Sequence, residues 1–196
     1  MTQRPVAYRL AMLWPARVPT ALRLAILLGG GIALLILSAK IKAPFYPVPM
    51  TLQTLSIALI AATLGTRHAV VAVLGYLVLG MLGVPVFTNT PPSPAGLIYF
   101  FGPTGGYLAG FVVAAALVGA LCQRGWDRSF GRLWLAMLLG DVAILGLGTA
   151  WLAFGGPGFG LDKALAVGLY PFLPGAIVKE LFGAALIRAT STSLRR

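Results

Sequence analysis

The chain has few charged residues, one cysteine and one histidine, and each scarcity excludes a class of protein. Charged residues make up only 10% of its 196 positions, while 59% are hydrophobic and the mean hydropathy is +0.92. A typical soluble domain is about 25% charged and about half apolar, so this composition excludes a soluble fold and predicts an integral membrane protein. With Cys122 and His68 as the single representatives of their types, the sequence excludes an internal disulfide, a cysteine-based metal cluster and a histidine-rich metal site.

Signatures of catalysis are missing as well. His68 has no carboxylate near it in the sequence, which argues against a Ser–His–Asp arrangement, and there is no phosphate-binding loop ending in Gly-Lys-Ser/Thr. We therefore predict that the protein is not an enzyme and carries no cofactor. If it moves a solute uphill, the energy has to come from a partner.

Long apolar segments, most of them near the roughly 20 residues that cross a bilayer, predict six transmembrane helices. The predicted spans are Leu22–Ser38, Thr51–Leu64, Ala69–Leu82, Gly105–Leu121, Leu133–Phe154 and Ala164–Ile187. Because the apolar runs are continuous rather than alternating, the predicted fold class is an all-α integral membrane protein and not a β-barrel. The predicted organisation is a basic N-terminal segment (1–20), one membrane domain (21–190) and a basic tail (191–196).

The net charge of +11 is explained by topology rather than by nucleic-acid binding. With six spans, all eleven arginines fall on the side that holds both termini, whereas Lys40, Lys42 and Lys163 fall on the other side. The positive-inside rule makes the arginine-rich side cytoplasmic. We predict a multi-pass protein of the cell's inner (cytoplasmic) membrane with both termini in the cytoplasm.

Two uncharged segments on the predicted outer face indicate a covered cavity. The loop Gly83–Pro103, called the lid loop below, carries Phe87 and Tyr99 among several prolines and has no charge. It is interpreted as a lid over a cavity or, alternatively, as an interfacial aromatic belt. Gln53, at the start of the second span, either presents its amide to such a cavity or is solvated at a capped helix entry.

Charged residues inside the spans give the sharpest signal, because a charge at mid-membrane costs about 2.5–3.5 kcal/mol on insertion scales. Asp141 and Lys179 each lie nine residues from the arginine at the inner end of their span, so the two are predicted at equal depth. An Asp141–Lys179 ion pair is therefore plausible, with Glu180 as an alternative partner. Two interpretations stay open: a neutralised pair that holds helices together, and a ligand site that uses Lys179.

Small residues recur every fourth position along the first span and form one face, called the small-residue stripe below. Its members are Ala21, Ala25, Gly29 and Ala33. Such a face permits close contact between helices in lipid. It serves either internal packing or the docking of a partner membrane protein.

Four motifs, in this order and spacing, resemble the BioY family, the biotin-binding S components of energy-coupling factor (ECF) transporters. They are Pro-Val-Pro-Met-Thr-Leu-Gln-Thr (47–54), Gly-Pro-Thr-Gly-Gly-Tyr-Leu-Ala-Gly-Phe (102–111), Gly-Asp (140–141) with Trp-Leu-Ala (151–153), and Pro-Phe-Leu-Pro-Gly followed three residues later by Lys179. The resemblance implies six helices, a biotin pocket near the outer face, and partnership with a transmembrane coupling protein and two cytoplasmic ATPases. It also implies docking through small residues of the first helix.

The resemblance places Lys179 on the lysine that hydrogen-bonds the biotin head group. With the reasoning from the residues, the predicted substrate-binding set is Lys179, Asn89, Tyr107, Trp151, Phe87, Gln53, Asp141 and Glu180. The chain departs from the family at Ala176, where an aspartate that contacts the ureido ring is common, and at Leu145, where a tyrosine is expected. Asp141 or Glu180 is expected to supply the missing acceptor.

Three further interpretations stay open beside this one. The chain could be an S component for another small vitamin or a non-transporting membrane scaffold, and it could associate with a second copy of itself.

Overall fold

The structure is a computed structural model, which describes residues 18–43, 47–90 and 95–193, with side chains to residue 190. The helices in these residues are α1 (Thr20–Lys40), α2 (Gln53–Met81), α3 (Gly105–Gln123), α4 (Phe130–Phe154), α5 (Leu161–Gly168) and α6 (Leu173–Ser193). A short antiparallel ribbon, β1 (Lys42–Ala43) and β2 (Met50–Thr51), joins α1 to α2, with Lys42 opposite Thr51. Single 3₁₀ turns occupy Leu97–Phe101, Trp126–Arg128 and Tyr170–Phe172. Most of the predicted segment 1–20 and the end of the predicted tail 191–196 lie outside the described residues.

Five helical segments of the described chain are long and apolar enough to cross a membrane. They are Thr20–Lys40, Gln53–Met81, Gly105–Gln123, Phe130–Phe154 and Leu161–Thr190. The fold is therefore that of an all-helical membrane protein, apart from the small ribbon. The count differs from six because the second and third predicted spans fall in one helical run, α2.

The sixth predicted span, Ala164–Ile187, is not a continuous helix. It consists of the end of α5, the turn Tyr170–Phe172 and most of α6. Pro171 lies in the turn, where proline removes a backbone donor and fixes the backbone angle φ. This break places Lys179 and Glu180 in the second turn of α6, close to an end of a helix.

Helix α2 reverses direction at Gly65, which has φ 77° and ψ 171°, a conformation that side chains disfavour. The Gln53 side-chain amide donates to the Tyr76 hydroxyl at 2.8 Å although 23 residues separate the two. A straight helix would hold them about 35 Å apart. Residues 53–64 and 66–81 are therefore two antiparallel arms, called the first and second arms of α2 below.

Helix α3 lies in the middle of the bundle, packed against both α2 and α4. Its contact with α4 is close because Gly110 lacks a side chain: a Cβ there would lie 2.7 Å from the Cα of Ile144. Helix α1 packs on α2 at the edge of the bundle, and α6 packs on α4 and α2. This arrangement leaves a space between the ends of α2, the starts of α3 and α6, and the middle of α4.

Candidate ligand-binding site

A cavity occupies that space, at the end of the bundle where α1 ends and α2 begins. It encloses about 620 Å³, including its open mouth. Most of its wall is apolar. The aromatic lining residues are Tyr76, Phe87, Tyr99, Tyr107, Phe111 and Phe172, and the charged and amide-bearing ones are Gln53, Asp141 and Lys179.

Lys179 provides the positive charge of the cavity. Its ammonium group donates to the Thr54 hydroxyl at 2.7 Å and to the carbonyl of Thr51 at 3.3 Å. Thr54 lies at the start of the first arm of α2, and Thr51 lies in β2 just before it. The predicted direct ion pair with Asp141 is thus replaced by an arrangement in which Thr54 lies beside both groups, because these acceptors lie within reach of the Lys179 side chain.

Asp141 provides a carboxyl group close to Lys179. The residue is only 4% exposed and lines the cavity from α4. Its Oδ2 atom is buried and has no hydrogen-bond partner among the described residues. A buried acceptor without a donor is costly, so this atom is available to a donor that enters the cavity.

Glu180 lies behind the cavity wall. The residue has no exposed surface, and both carboxyl oxygens lack a hydrogen-bond partner within the described part of the chain. It is not part of the cavity lining, whereas its neighbour Lys179 is. Consecutive helix residues point about 100° apart, so Glu180 turns away from the space that Lys179 enters.

The lid loop packs over the cavity in its described parts, residues 83–90 and 95–103. Phe87 is 1% exposed and stacks on Tyr99, with ring centroids 4.4 Å apart and planes 17° from parallel. Burial raises the pKa of the Tyr99 hydroxyl, so this residue stays neutral at physiological pH. The loop therefore supplies an aromatic wall, as the lid interpretation predicted.

Two lysines at the end of α1 fasten this loop. The ammonium group of Lys40 donates to the carbonyls of Pro85, Phe87 and Thr90 at 2.9, 2.7 and 2.6 Å. Lys42 donates to the carbonyl of Thr88 at 3.1 Å and to the side-chain oxygen of Asn89 at 3.0 Å. Asn89, predicted as a binding residue, is engaged by Lys42 and is not among the cavity-lining residues.

Tyr107 and Trp151, both predicted as binding residues, differ in position. Tyr107 lines the cavity and donates its hydroxyl to the carbonyl of Gly168 at 2.8 Å, which ties α3 to the end of α5. Trp151 is absent from the lining; its indole nitrogen donates to the carbonyl of Gly102 at 2.9 Å. The Trp151 ring packs against the glycine-rich start of α3, so it supports the wall from outside.

The cavity thus gathers five of the eight predicted binding residues: Lys179, Asp141, Gln53, Phe87 and Tyr107. Thr54, Tyr76, Ile144 and Ala176 also line it and were not predicted. Thr54 could have been found because it follows Gln53 on the same helix entry. Tyr76 could not, since nothing in the sequence says that α2 reverses and brings position 76 back to position 53.

The small-residue stripe faces away from the bundle. Ala21, Ala25, Gly29 and Ala33 are all exposed, and a Cβ added at Gly29 would meet no atom within 4 Å. The stripe therefore does not pack against the described residues, and within them it serves no internal packing.

A bundle of apolar helices with an aromatic cavity at one end, and a few convergent polar groups in it, is typical of a membrane protein that binds a small molecule. The model of the BioY family matches residues 11–196. The chain belongs to the BioY family.

Curated relatives and a solved structure agree with this assignment. The chain is 35% identical over 165 residues to "Biotin transporter BioY2" of Lactococcus lactis subsp. cremoris, covering 82% of this chain and 88% of the relative. It is 37% identical over 155 residues to "Biotin transporter BioY" of Thermotoga maritima, covering 79% and 87%. A crystal structure of "the S-component for biotin from an ECF-type ABC transporter" superposes with a TM-score of 0.76 at 25% identity, covering 88% of this chain and 92% of that one.

Proposed function

We propose that this chain is the biotin-capturing S component of an ECF transporter. The observation that carries the proposal is the cavity, which places Lys179 and the unpartnered Oδ2 of Asp141 at an otherwise largely apolar site. The relatives named as biotin transporters and the similar S-component structure support biotin as the ligand. The chain acts as a transport subunit and not as an enzyme.

The chemistry of biotin matches this lining. Its sulfur-containing ring and aliphatic chain are apolar and suit Phe87, Tyr107 and Phe111. Its ureido group has one carbonyl acceptor and two N–H donors. We assign the carbonyl to the Lys179 ammonium and an N–H to Asp141, which supplies the carboxylate that Ala176 lacks. Gln53 is held by Tyr76 and fixes the orientation of the wall.

The proposed topology has six passes, with the two arms of α2 counted separately. The antiparallel arms and the reversal at Gly65 support this count. Arg67 follows the reversal in α2, and Arg124, Arg128 and Arg132 lie where α3 joins α4, whereas Lys40 and Lys42 bind the lid loop that covers the cavity. The positive-inside rule then places both termini in the cytoplasm and the cavity at the outer face of the inner membrane.

The proposed partners are a transmembrane coupling protein and two ATPases. The similar structure comes from an ECF-type transporter, and the exposed small-residue stripe offers a face where another helix can approach closely. The energy for uptake comes from these ATPases, since the chain has no nucleotide-binding loop of its own.

Calorimetry of biotin with the detergent-purified protein tests the proposal. We expect nanomolar or tighter binding, lost in Lys179→Ala and retained in the matched control Lys163→Ala, whose lysine is exposed on α5. Binding of a different vitamin in place of biotin would assign the chain to another S-component specificity. No binding of any small molecule by folded protein would favour a membrane scaffold.

A further inference from the structure

The cavity and the wall behind it hold two buried acidic residues but one neighbouring basic residue. Asp141 and Glu180 are both buried, at 4% and 0% exposure, and the lysine next to them is Lys179. Helix α4 contributes Asp141 and α6 contributes Lys179 and Glu180. The first arm of α2 contributes no charged residue, and the turn before α6 contributes only the exposed Tyr170.

With one ammonium group and two carboxylates, full ionisation would leave a net charge of −1 inside the bundle. Burying an unpaired charge costs several kcal/mol, and in practice the group is neutralised instead. One proton therefore belongs to this cluster at neutral pH.

The geometry identifies which carboxyl group holds the proton. Asp141 opens on the cavity and has the Thr54 hydroxyl and the Lys179 charge beside it. Glu180 is sealed from the cavity, and neither of its oxygens has a hydrogen-bond partner within the described chain. An ionised carboxylate requires donors or solvent and Glu180 has neither, so the neutral form is the stable one there.

We propose that Glu180 is a resident proton site whose neutral form keeps Lys179 and Asp141 in their ligand-binding arrangement. This inference rests on the proposed biotin-binding function and adds its regulation by pH. Loss of the proton places a second negative charge beside Lys179, which draws the ammonium group away from the ligand. Biotin affinity is then constant while Glu180 is protonated and falls at alkaline pH, by at most about tenfold per pH unit for one linked proton.

The first test detects the proton on Glu180 in the absence of any ligand. Infrared spectroscopy of the purified protein resolves the carbonyl stretch of a protonated carboxyl group from carboxylate and amide bands. We expect this band at neutral pH in the wild type and in Asp162→Asn, and its loss in Glu180→Gln. Absence of the band from the wild type overturns the proposal, as does its persistence in Glu180→Gln.

The second test follows biotin affinity between about pH 6 and about pH 10. Glu180→Gln imitates the neutral form of the side chain. We therefore expect this variant to bind biotin with wild-type affinity at neutral pH and with no dependence on pH, whereas the affinity of the wild type falls with rising pH. A wild-type profile in Glu180→Gln would assign the pH dependence to another group, such as Lys179. Loss of binding at every pH in that variant would make ionised Glu180 a requirement for binding, and either result overturns the proposal.

The two tests also separate this inference from the proposed function. If biotin does not bind but the infrared band behaves as expected, the ligand assignment fails while the proton site stands. If Glu180→Gln does not fold, Glu180→Leu replaces it: this variant also lacks the carboxyl group, so its infrared spectrum should lack the wild-type band.

Discussion

Helices α1 and α3 are both continuous apolar segments, yet they occupy opposite environments. Of the most apolar part of each helix, 11% of α1 is buried inside the bundle against 61% of α3. Glycines of α3, such as Gly110, bring it against neighbouring helices, whereas Gly29 of α1 faces open space. Apolar character alone therefore does not distinguish a core helix from one that faces lipid or a partner. It follows that the ligand site and the docking face are separable by mutation.

The largest effect is expected on biotin binding, at the buried ligand site. Asp141→Asn removes the charged acceptor that we assign to a ureido N–H, and hydrogen bonds to charged groups contribute about 1.5–3 kcal/mol. We expect biotin binding to weaken about fiftyfold in calorimetry. Asp162→Asn, at an exposed acid of α5, serves as the control and should bind like the wild type. Wild-type affinity in Asp141→Asn would remove this residue from the site.

On α1, Gly29→Leu places a large side chain on the small-residue stripe. Overpacking a close contact costs about 1–3 kcal/mol, so association with the coupling protein and ATPases should weaken about tenfold. Biotin binding by the isolated protein should not change. Co-purification of the assembled transporter and calorimetry of the isolated chain measure the two properties separately.

Gly30→Leu is the matched control for this experiment. A Cβ at Gly30 also meets no atom within 4 Å, but position 30 is turned about 100° around the helix from Gly29. Equal effects of both substitutions on assembly would show that the stripe has no special role.

Lys40 lies between the small-residue stripe and the ligand site, and it connects the end of α1 to the lid loop. Lys40→Met keeps the length of the side chain but removes three hydrogen bonds to loop carbonyls. Because the group is partly solvated, we expect a net loss of about 1 kcal/mol, seen as about fivefold faster biotin release. Lys42→Met, which removes two such contacts, should have a smaller effect. Stopped-flow dissociation measures both, and an unchanged rate in Lys40→Met would mean that the loop is held by its aromatic residues.

The smallest effect is expected from Phe87→Leu. This change keeps most of the buried apolar volume and loses the stack with Tyr99, which contributes about 0.5–1.5 kcal/mol. Biotin affinity should fall about threefold, measured by calorimetry, with thermal unfolding as the control for fold integrity. A loss as large as that expected for Asp141→Asn would mean that Phe87 contributes much more to binding than its stack with Tyr99 does.

Much of the site could be predicted because its residues follow local rules. Lys179 and Asp141 are charges inside apolar segments, where the cost of burial makes a cavity or a partner necessary. Phe87 and Tyr107 flank glycines and prolines at helix ends, which marks a loop over a helix junction. Trp151 and Asn89 were predicted as binding residues on the same grounds, but carbonyl and lysine partners from distant segments engage them outside the cavity.

The sequence by itself determined that the chain lives in lipid and that its apolar segments are helices, because hydropathy acts residue by residue. Only the tertiary structure decided that α2 reverses at Gly65, that Lys40 fastens the lid loop, that the described residues leave the small-residue stripe of α1 uncovered, and that Glu180 is sealed while Lys179 enters the cavity. These features depend on which helix faces are brought together. Segments far apart in the chain meet only when the whole bundle packs, so no local pattern encodes them.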